Sequence, residues 1–257
     1  MNPIQSGPAI DGRDAPGAQL PTAAGTPPSG RLLIVPGLRD SGAAHWQTWL
    51  QLRFPGAVRV YQRHWSRPDL DAWAARIGDT IDAAGPGPWV AAAHGFGCLA
   101  LMRHLQLRAS PVRFAMLVAP SDPARFGVAA RLPVGAPLLP STLFASENDP
   151  GMPIAEAREW ARRWGSWVVN LGPAGHVDAD AGYRQFPEAA ALVERVLREM
   201  DDSPRHVPPA RQAGDASARP APPSDAMPAP GVSAPAAGRP APYALPRRLA
   251  GMLGFAR

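Results

Sequence analysis

The chain has 257 residues, 46% of them apolar, and its 26 basic and 21 acidic residues leave a formal net charge of +5. Every basic residue is arginine and the excess is spread thinly, with 18 Arg against 15 acids in residues 31-200, 7 against 4 in 201-257 and 1 against 2 in 1-30. That pattern lacks the basic stripe with interleaved aromatics of a nucleic-acid binder; the lone Cys98 excludes internal disulfides and points to a cytoplasmic setting; and no apolar stretch approaches the length of an integral membrane segment.

In chain order, residues 1-30 are rich in Gly, Pro, Ala and Ser, with neither a basic start nor a continuous apolar run. They read as a disordered extension without a visible secretory signal. From Arg31 onward, strand-like and helix-like runs alternate. The strand-like runs are RLLIV (31-35), AVRVYQ (57-62), WVAAA (89-93), RFAMLVA (113-119), STLFA (141-145) and WVVNL (167-171). The helical patterns between and after them are 43-54, 70-84, 97-107, 154-165 and 187-200. In the fourth, Ala155, Trp160 and Trp164 are expected to face the core and Arg158, Glu159 and Arg162 the solvent. The alternation predicts an α/β fold, with a parallel sheet of about six strands covered on both faces, over residues 31-200. Residues 201-257 hold 12 of the 33 prolines and much alanine. Such a tail cannot bury enough surface to offset its ordering entropy and is expected to be disordered. Its last stretch, 245-257, also reads as a short basic amphipathic anchor.

A doubly wound sheet binds ligands beyond the carboxyl ends of its strands, so the loops there are where chemistry is sought. After the third strand comes Ala93-His94-Gly95-Phe96-Gly97, after the fifth Ser146-Glu147-Asn148-Asp149-Pro150, and after the sixth Gly172-Pro173-Ala174-Gly175-His176. Nucleophile loop, then acid, then histidine is the chain order of α/β-hydrolases. Gly97 and Ala93 supply the small neighbours that a sharp strand-to-helix turn needs. No hydroxyl or thiol stands at position 95.

The segments PGLRDSGAAHWQTW (36-49), AHGFGC (93-98), LVAPSDP (117-123), ASENDP (145-150) and GHVDADAGY (175-183) resemble the family of YdeN and retinoblastoma-binding protein nine. The resemblance spans nearly all of residues 31-200. It implies a three-layer α/β-hydrolase core without a cap domain and a Ser-His-Asp triad whose elbow reads A-H-S-x-G-C. By that resemblance Asp149 is the triad acid, His176 the base, the amides of Leu38 and Phe96 the oxyanion hole, and Gly95 stands where the nucleophilic serine belongs. Glu147 is the competing carboxylate.

Four further residues belong to the expected cleft. His94, next to the elbow, and His45, inside the first helix, are expected to hydrogen-bond loops around the site. Ser41 either orders water beside the oxyanion hole or serves as a turn or cap residue. Trp46, with Trp49, Trp65 and Trp73, reads as core or cleft wall, two or three of them lining an aromatic acyl pocket. Cys98, one helical turn below Gly95, reads as packed sulfur, with rescue nucleophile as its alternative. The six histidines include no H-x-x-x-H or H-E-x-x-H pairing, and Gly85-Pro86-Gly87-Pro88 lacks the Lys of a phosphate loop. No metal and no cofactor are therefore expected.

The function expected is that of a serine-hydrolase-like protein, impaired by Gly95, whose cleft binds a small-molecule ester- or amide-like ligand or a protein partner. Two alternatives remain open at this point: slow ester or amide hydrolysis by water that His176 and Asp149 activate, and an interaction protein working through its Pro-rich tail.

Overall fold

The computed structural model describes residues 30–135 and 138–202. The expected extension 1-30 and tail 201-257 lie outside the described residues, apart from 30, 201 and 202. Six strands form one parallel sheet: β1 (Arg31–Val35), β2 (Val58–Arg59), β3 (Trp89–His94), β4 (Val112–Val118), β5 (Ser141–Ala145) and β6 (Trp167–Asn170). Their spatial order is β2-β1-β3-β4-β5-β6. Five helices connect or follow them: α1 (Trp46–Arg53), α2 (Leu70–Ala84), α3 (Phe96–Leu107), α4 (Ile154–Trp164) and α5 (Pro187–Asp202). Two 3-10 turns, Pro123–Phe126 and Ala129–Arg131, lie between β4 and β5. Among the described residues no inserted domain covers the sheet, and the fold is a three-layer α/β-hydrolase core.

Side chains alternate across a strand, so each strand feeds two layers. Leu33, Val35, Ala91, Ala93, Ala115, Leu117, Leu143 and Ala145 pack with residues of α2, α3 and α4. Leu32, Ile34, Val90, Ala92, Phe114, Met116, Val118 and Phe144 pack on the other face with Trp46 and Leu50 of α1 and Val193, Val196 and Leu197 of α5. Because both faces are covered, these strands are apolar throughout rather than alternating. The strand order also fixes where a ligand can sit. From β1 the chain moves outward to β2 and then returns to place β3 on the other side of β1. The sheet therefore switches direction between the carboxyl ends of β1 and β3, where a crevice opens.

Three expectations need correction. The second strand is shorter than 57-62: β1 ends at Val35, before the Pro36-Gly37 turn, so nothing is left for Tyr61 and Gln62 to pair with, and Tyr61 is exposed. The first helix starts at Trp46 rather than 43, with His45 as its N-cap rather than inside it. In α4 the buried face is Ala157, Trp160, Ala161 and Trp164, at i, i+3, i+4 and i+7, whereas Ala155, two positions before Ala157, falls on the exposed side.

Candidate active site

Position 95 is set by the turn from β3 into α3. Gly95 has φ 53° and ψ −125°, a conformation that L side chains rarely adopt. Its N–H donates to the Val118 carbonyl of β4 at 3.1 Å, which holds the turn at the sheet's upper edge. Gly97 lets α3 lie close against β1. A Cβ there would fall on the Pro36 carbonyl oxygen and within 2.7 Å of that of Val35. At Gly95 the outcome is the opposite: the atoms nearest to an added Cβ are His176 Nε2 at 3.5 Å, Ser121 Oγ at 3.6 Å and Gly37 Cα at 3.7 Å. These are ordinary van der Waals contacts. A side chain at this position would thus have room, and it would face the imidazole.

The histidine is held from behind. His176 Nδ1 lies 2.8 Å from Asp149 Oδ1, and the same oxygen accepts the Gly151 N–H at 2.7 Å. The Asp149 side chain is 3% exposed against 27% for His176, so the carboxylate is enclosed while the ring reaches the cleft. With Nδ1–H donated to the carboxylate, Nε2 is the acceptor and faces position 95. Burial by itself would lower the His176 pKa. The hydrogen bond and charge of Asp149, with the charge of Asp178, outweigh it and raise the pKa above the usual histidine value. Glu147, the competing carboxylate, instead accepts from Asn170 Nδ2 at 2.8 Å. The two loops are also tied to each other: Asn148 Oδ1 accepts the Gly175 N–H at 2.7 Å, and Ser146 Oγ accepts that of Ala174 at 3.0 Å.

The loop carrying the Leu38 amide follows β1. Arg39 and Asp40 in it both have positive φ, 68° and 64°, which is costly for non-glycine residues. A buried guanidinium offsets this. Arg59 Nη1 donates to Asp40 Oδ1 and to the Ser41 carbonyl, both at 3.1 Å, Nη2 to Thr48 Oγ1 at 2.8 Å, and Nε to Gln51 Oε1 at 2.8 Å. Ser41 is buried and donates its hydroxyl to Gln47 Oε1 at 2.5 Å, and the cap of α1 is His45 rather than Ser41. Gln47 Nε2 in turn donates to the carbonyls of Val35 and Ala92, which joins the ends of β1 and β3.

His45, His94 and His176 form a row, with 4.8 Å between successive ring centroids. His94 Nε2 lies 2.9 Å from the His176 carbonyl, and Trp46 Nε1 donates to that of Val177 at 2.8 Å. Both contacts fix the backbone on which the His176 ring stands. Burial lowers the His45 pKa to about 4 and that of His94 well below the ordinary value, so neither competes for the proton near neutrality. Cys98 is fully buried, its Sγ 3.6 Å from the Val118 carbonyl, and burial pushes its thiol up, which rules out the rescue role. Trp65, Trp73, Phe96 and Phe126 pack edge-to-face in sequence, with centroids 5.9, 5.2 and 5.0 Å apart. Trp46 belongs to the core, and Trp49 packs on its α1–α5 side. Among the described residues no group of three or more His, Cys, Asp or Glu could hold a metal ion, and no helix is long and apolar enough to cross a membrane.

An acid-backed histidine aimed at the residue of a strand-to-helix elbow is the arrangement of serine hydrolases, and the sequence agrees: residues 32–195 match the serine hydrolase family. The chain belongs to that family. Among solved structures, a protein described as a YdeN-like hydrolase from Pectobacterium atrosepticum is 34% identical, with a TM-score of 0.64 over 67% of this chain and 92% of that one. The ydeN gene product of B. subtilis is 18% identical, with a TM-score of 0.55 over 66% of this chain and 99% of that one. A protein from Xanthomonas campestris described as a hydrolase of the α/β superfamily, 17% identical, has a TM-score of 0.50 over 66% of this chain and 98% of that one. The first places the chain among YdeN-like serine hydrolases, and the other two share its fold. Among curated proteins none matches the sequence.

Ser121 and Gln47 were not singled out from sequence, although both lie in segments that carry the family resemblance, 117-123 and 36-49. Ser121 follows β4 in the LVAPSDP run, and only the geometry brings its hydroxyl beside position 95.

Proposed function

We propose that this serine-hydrolase-family protein keeps the acid, the base and the anion-stabilising amides of an ester or amide hydrolase but not its nucleophile, and binds an acyl-like ligand in the remaining cleft. The observation that carries this reading is the Gly95 turn: its missing Cβ direction points at His176 Nε2, 3.5 Å away, with Asp149 behind the ring. A serine hydroxyl in that direction could pass its proton to Nε2 as it attacked a carbonyl carbon. Asp149 would stabilise the resulting imidazolium. Glycine supplies no atom for that bond. The amides of Leu38 and Phe96 remain as the assigned oxyanion donors, and a cytoplasmic setting fits the single cysteine.

A second reading is supported by the exposure of the His176 ring: Nε2 could take a proton from a water that attacks an activated ester. Without a covalent tether most of the orientational advantage is lost, so this route is slow. A fluorophosphonate probe separates the family's usual chemistry from both readings. The chain is expected to remain unlabelled under conditions that label active serine hydrolases, and labelling at any serine would overturn the proposal.

A further inference from the structure

Outside the candidate active site, a cavity of about 350 Å³ opens between the loop that follows β2 and the first three turns of α2. The loop lines it with Gln62, Arg63, His64, Arg67 and Asp69. The helix adds Ala72, Arg76 and Asp79, which recur at i, i+4 and i+7 and so share one face, and Trp73 beside them. The loop is fixed by its own bonds. The His64 carbonyl accepts the Arg67 N–H at 3.3 Å, and the Arg67 carbonyl accepts the Asp69 N–H at 2.9 Å and Trp73 Nε1 at 3.0 Å. Trp65 in the same loop accepts the Arg39 N–H at 3.1 Å on its carbonyl, and Asp69 Oδ1 caps α2 through the Ala72 N–H at 3.1 Å. A cavity whose backbone is already held loses little freedom when a ligand enters.

Its charge is unbalanced in one place. Asp79 Oδ2 lies 3.9 Å from Arg76 Nη1, and the Asp69 carboxylate sits at the N-terminus of α2, where the partial positive charge of the helix answers it. Elsewhere arginines are spent on acids, Arg53 on Glu194, Arg103 on Asp71, Arg108 on Asp82 and Arg163 on Glu159. Arg63 and Arg67 are not: neither side chain has a partner among the described residues, and both border this cavity. An exposed arginine alone is a solvated cation. Two of them on one cavity wall, with the amide of Gln62 and the ring of His64 between them in sequence or beside them, form a set of donors facing a shared space.

We infer that this cavity binds a phosphate monoester, its phosphoryl oxygens on the guanidinium groups of Arg63 and Arg67 and its organic group against Ala72 and Trp73. A phosphate group carries about −1.5 to −2 charge at pH 7, which matches two unanswered guanidinium charges. The planar fork of arginine also presents paired N–H groups to its oxygens. A carboxylate or a sulfate ester brings a single charge. The cavity is larger than a phosphate group, which leaves room for the organic part. None of these residues belongs to the candidate active site, so the inference does not depend on what the Gly95 cleft binds.

Phenyl phosphate is the probe, with phenyl sulfate as its singly charged analogue of like shape, titrated into the full-length protein by calorimetry at about pH 7.5. Saturable phenyl phosphate binding is expected, at least about tenfold tighter than that of phenyl sulfate and weaker at high salt. The amide resonances of Arg63, Arg67 and Ala72 should shift while those of Gly95 and His176 stay in place. Arg63→Gln and Arg67→Gln should each cost about tenfold in affinity. Neither side chain bonds another described residue, so neither change should unsettle the fold, which circular dichroism checks. Arg158→Gln, in an exposed arginine of α4 that likewise has no partner among the described residues, should leave the affinity unchanged. Absence of saturable binding, equal affinity for phosphate and sulfate esters, or shifts at Gly95 and His176 in place of the loop would each overturn the inference. So would a loss in Arg158→Gln as large as that in Arg63→Gln. Inorganic phosphate binding as tightly as phenyl phosphate would show a site for the free ion and overturn the ester.

Discussion

Replacing Gly95 by serine perturbs one position in two separable ways, through the backbone and through the hydroxyl. The added Cβ meets nothing closer than 3.5 Å, so there is no steric cost to relieve. What remains is conformational. A residue with a Cβ held at φ 53°, ψ −125° carries about 1–3 kcal/mol of strain that glycine escapes. For a domain of this size each kcal/mol moves the melting temperature by about 2–4 °C, so a fall of roughly 2–12 °C is expected. In exchange, a staggered rotamer brings the hydroxyl within hydrogen-bond reach of His176 Nε2. Since removing such a nucleophile costs on the order of 10⁶ in turnover, the gain in ester hydrolysis can approach that factor if acid, base and amides are all in place. Thermal unfolding, fluorophosphonate labelling and hydrolysis of an activated aryl ester, measured on the same preparation, read both effects. A melting temperature that stays put or rises would show that position 95 is not in a strained elbow. A folded variant that neither labels nor hydrolyses would show that Asp149, His176 or the assigned amides are not arranged for catalysis.

Other consequences are open to the same kind of measurement. Any slow esterase activity of the unsubstituted chain should vanish in His176→Ala and rise with pH along a limb that reports the histidine's raised pKa; activity that survives the substitution would remove water activation from consideration. His45, whose pKa is about 4 when folded, must release its proton on folding, so its contribution to stability is present above the unfolded value near 6.5 and is lost as pH falls toward 4, by roughly 3 kcal/mol in all. His45→Asn keeps an N-cap acceptor for α1 but should flatten that acid limb in a denaturant titration; an unchanged slope would place the acid sensitivity elsewhere, with buried His94 the next candidate. For His176 the sign is reversed: its folded pKa is raised, so the stability it contributes is full below its unfolded pKa and is lost as pH rises through the folded one, and Asp149→Asn should erase that slope. Gly97→Ala drives a Cβ onto the Pro36 carbonyl and should cost at least about 1–3 kcal/mol, whereas a neutral result would mean that α3 can retreat from β1 at no expense.

The fold was legible because its signals are local and repeated. Largely apolar runs of five to seven residues, each closed by Gly, Pro or a polar cluster and followed by a helical period, mark a parallel sheet buried on both faces without any tertiary information. The candidate site was legible to the extent that it follows from chain order: Gly95, Asp149 and His176 sit on loops after the third, fifth and sixth strands, and the topology carries those loops to one edge. Where the signal was weak, the reading slipped. Ala155 fits a loose helical period but lies on the exposed side of α4, and the end of the second strand depended on whether β1 still had residues to pair with.

Sequence by itself determined which residue types are present at those loop positions, above all that no hydroxyl stands at 95. Tertiary structure decided what each can touch. The assembled sheet shows what separates Asp149, buried against His176, from Glu147, two residues away on Asn170, which the family resemblance alone ranks second. Ser41, in the 36-49 segment, spends its hydroxyl on Gln47, while Ser121 Oγ, in the 117-123 segment, lies beside position 95. The physical reason is range. Strand and helix signals repeat within a few residues, whereas the hydrogen bonds that tie the loop after β5 to the loop after β6 join positions more than twenty residues apart, and those partners exist only once the loops have been brought together.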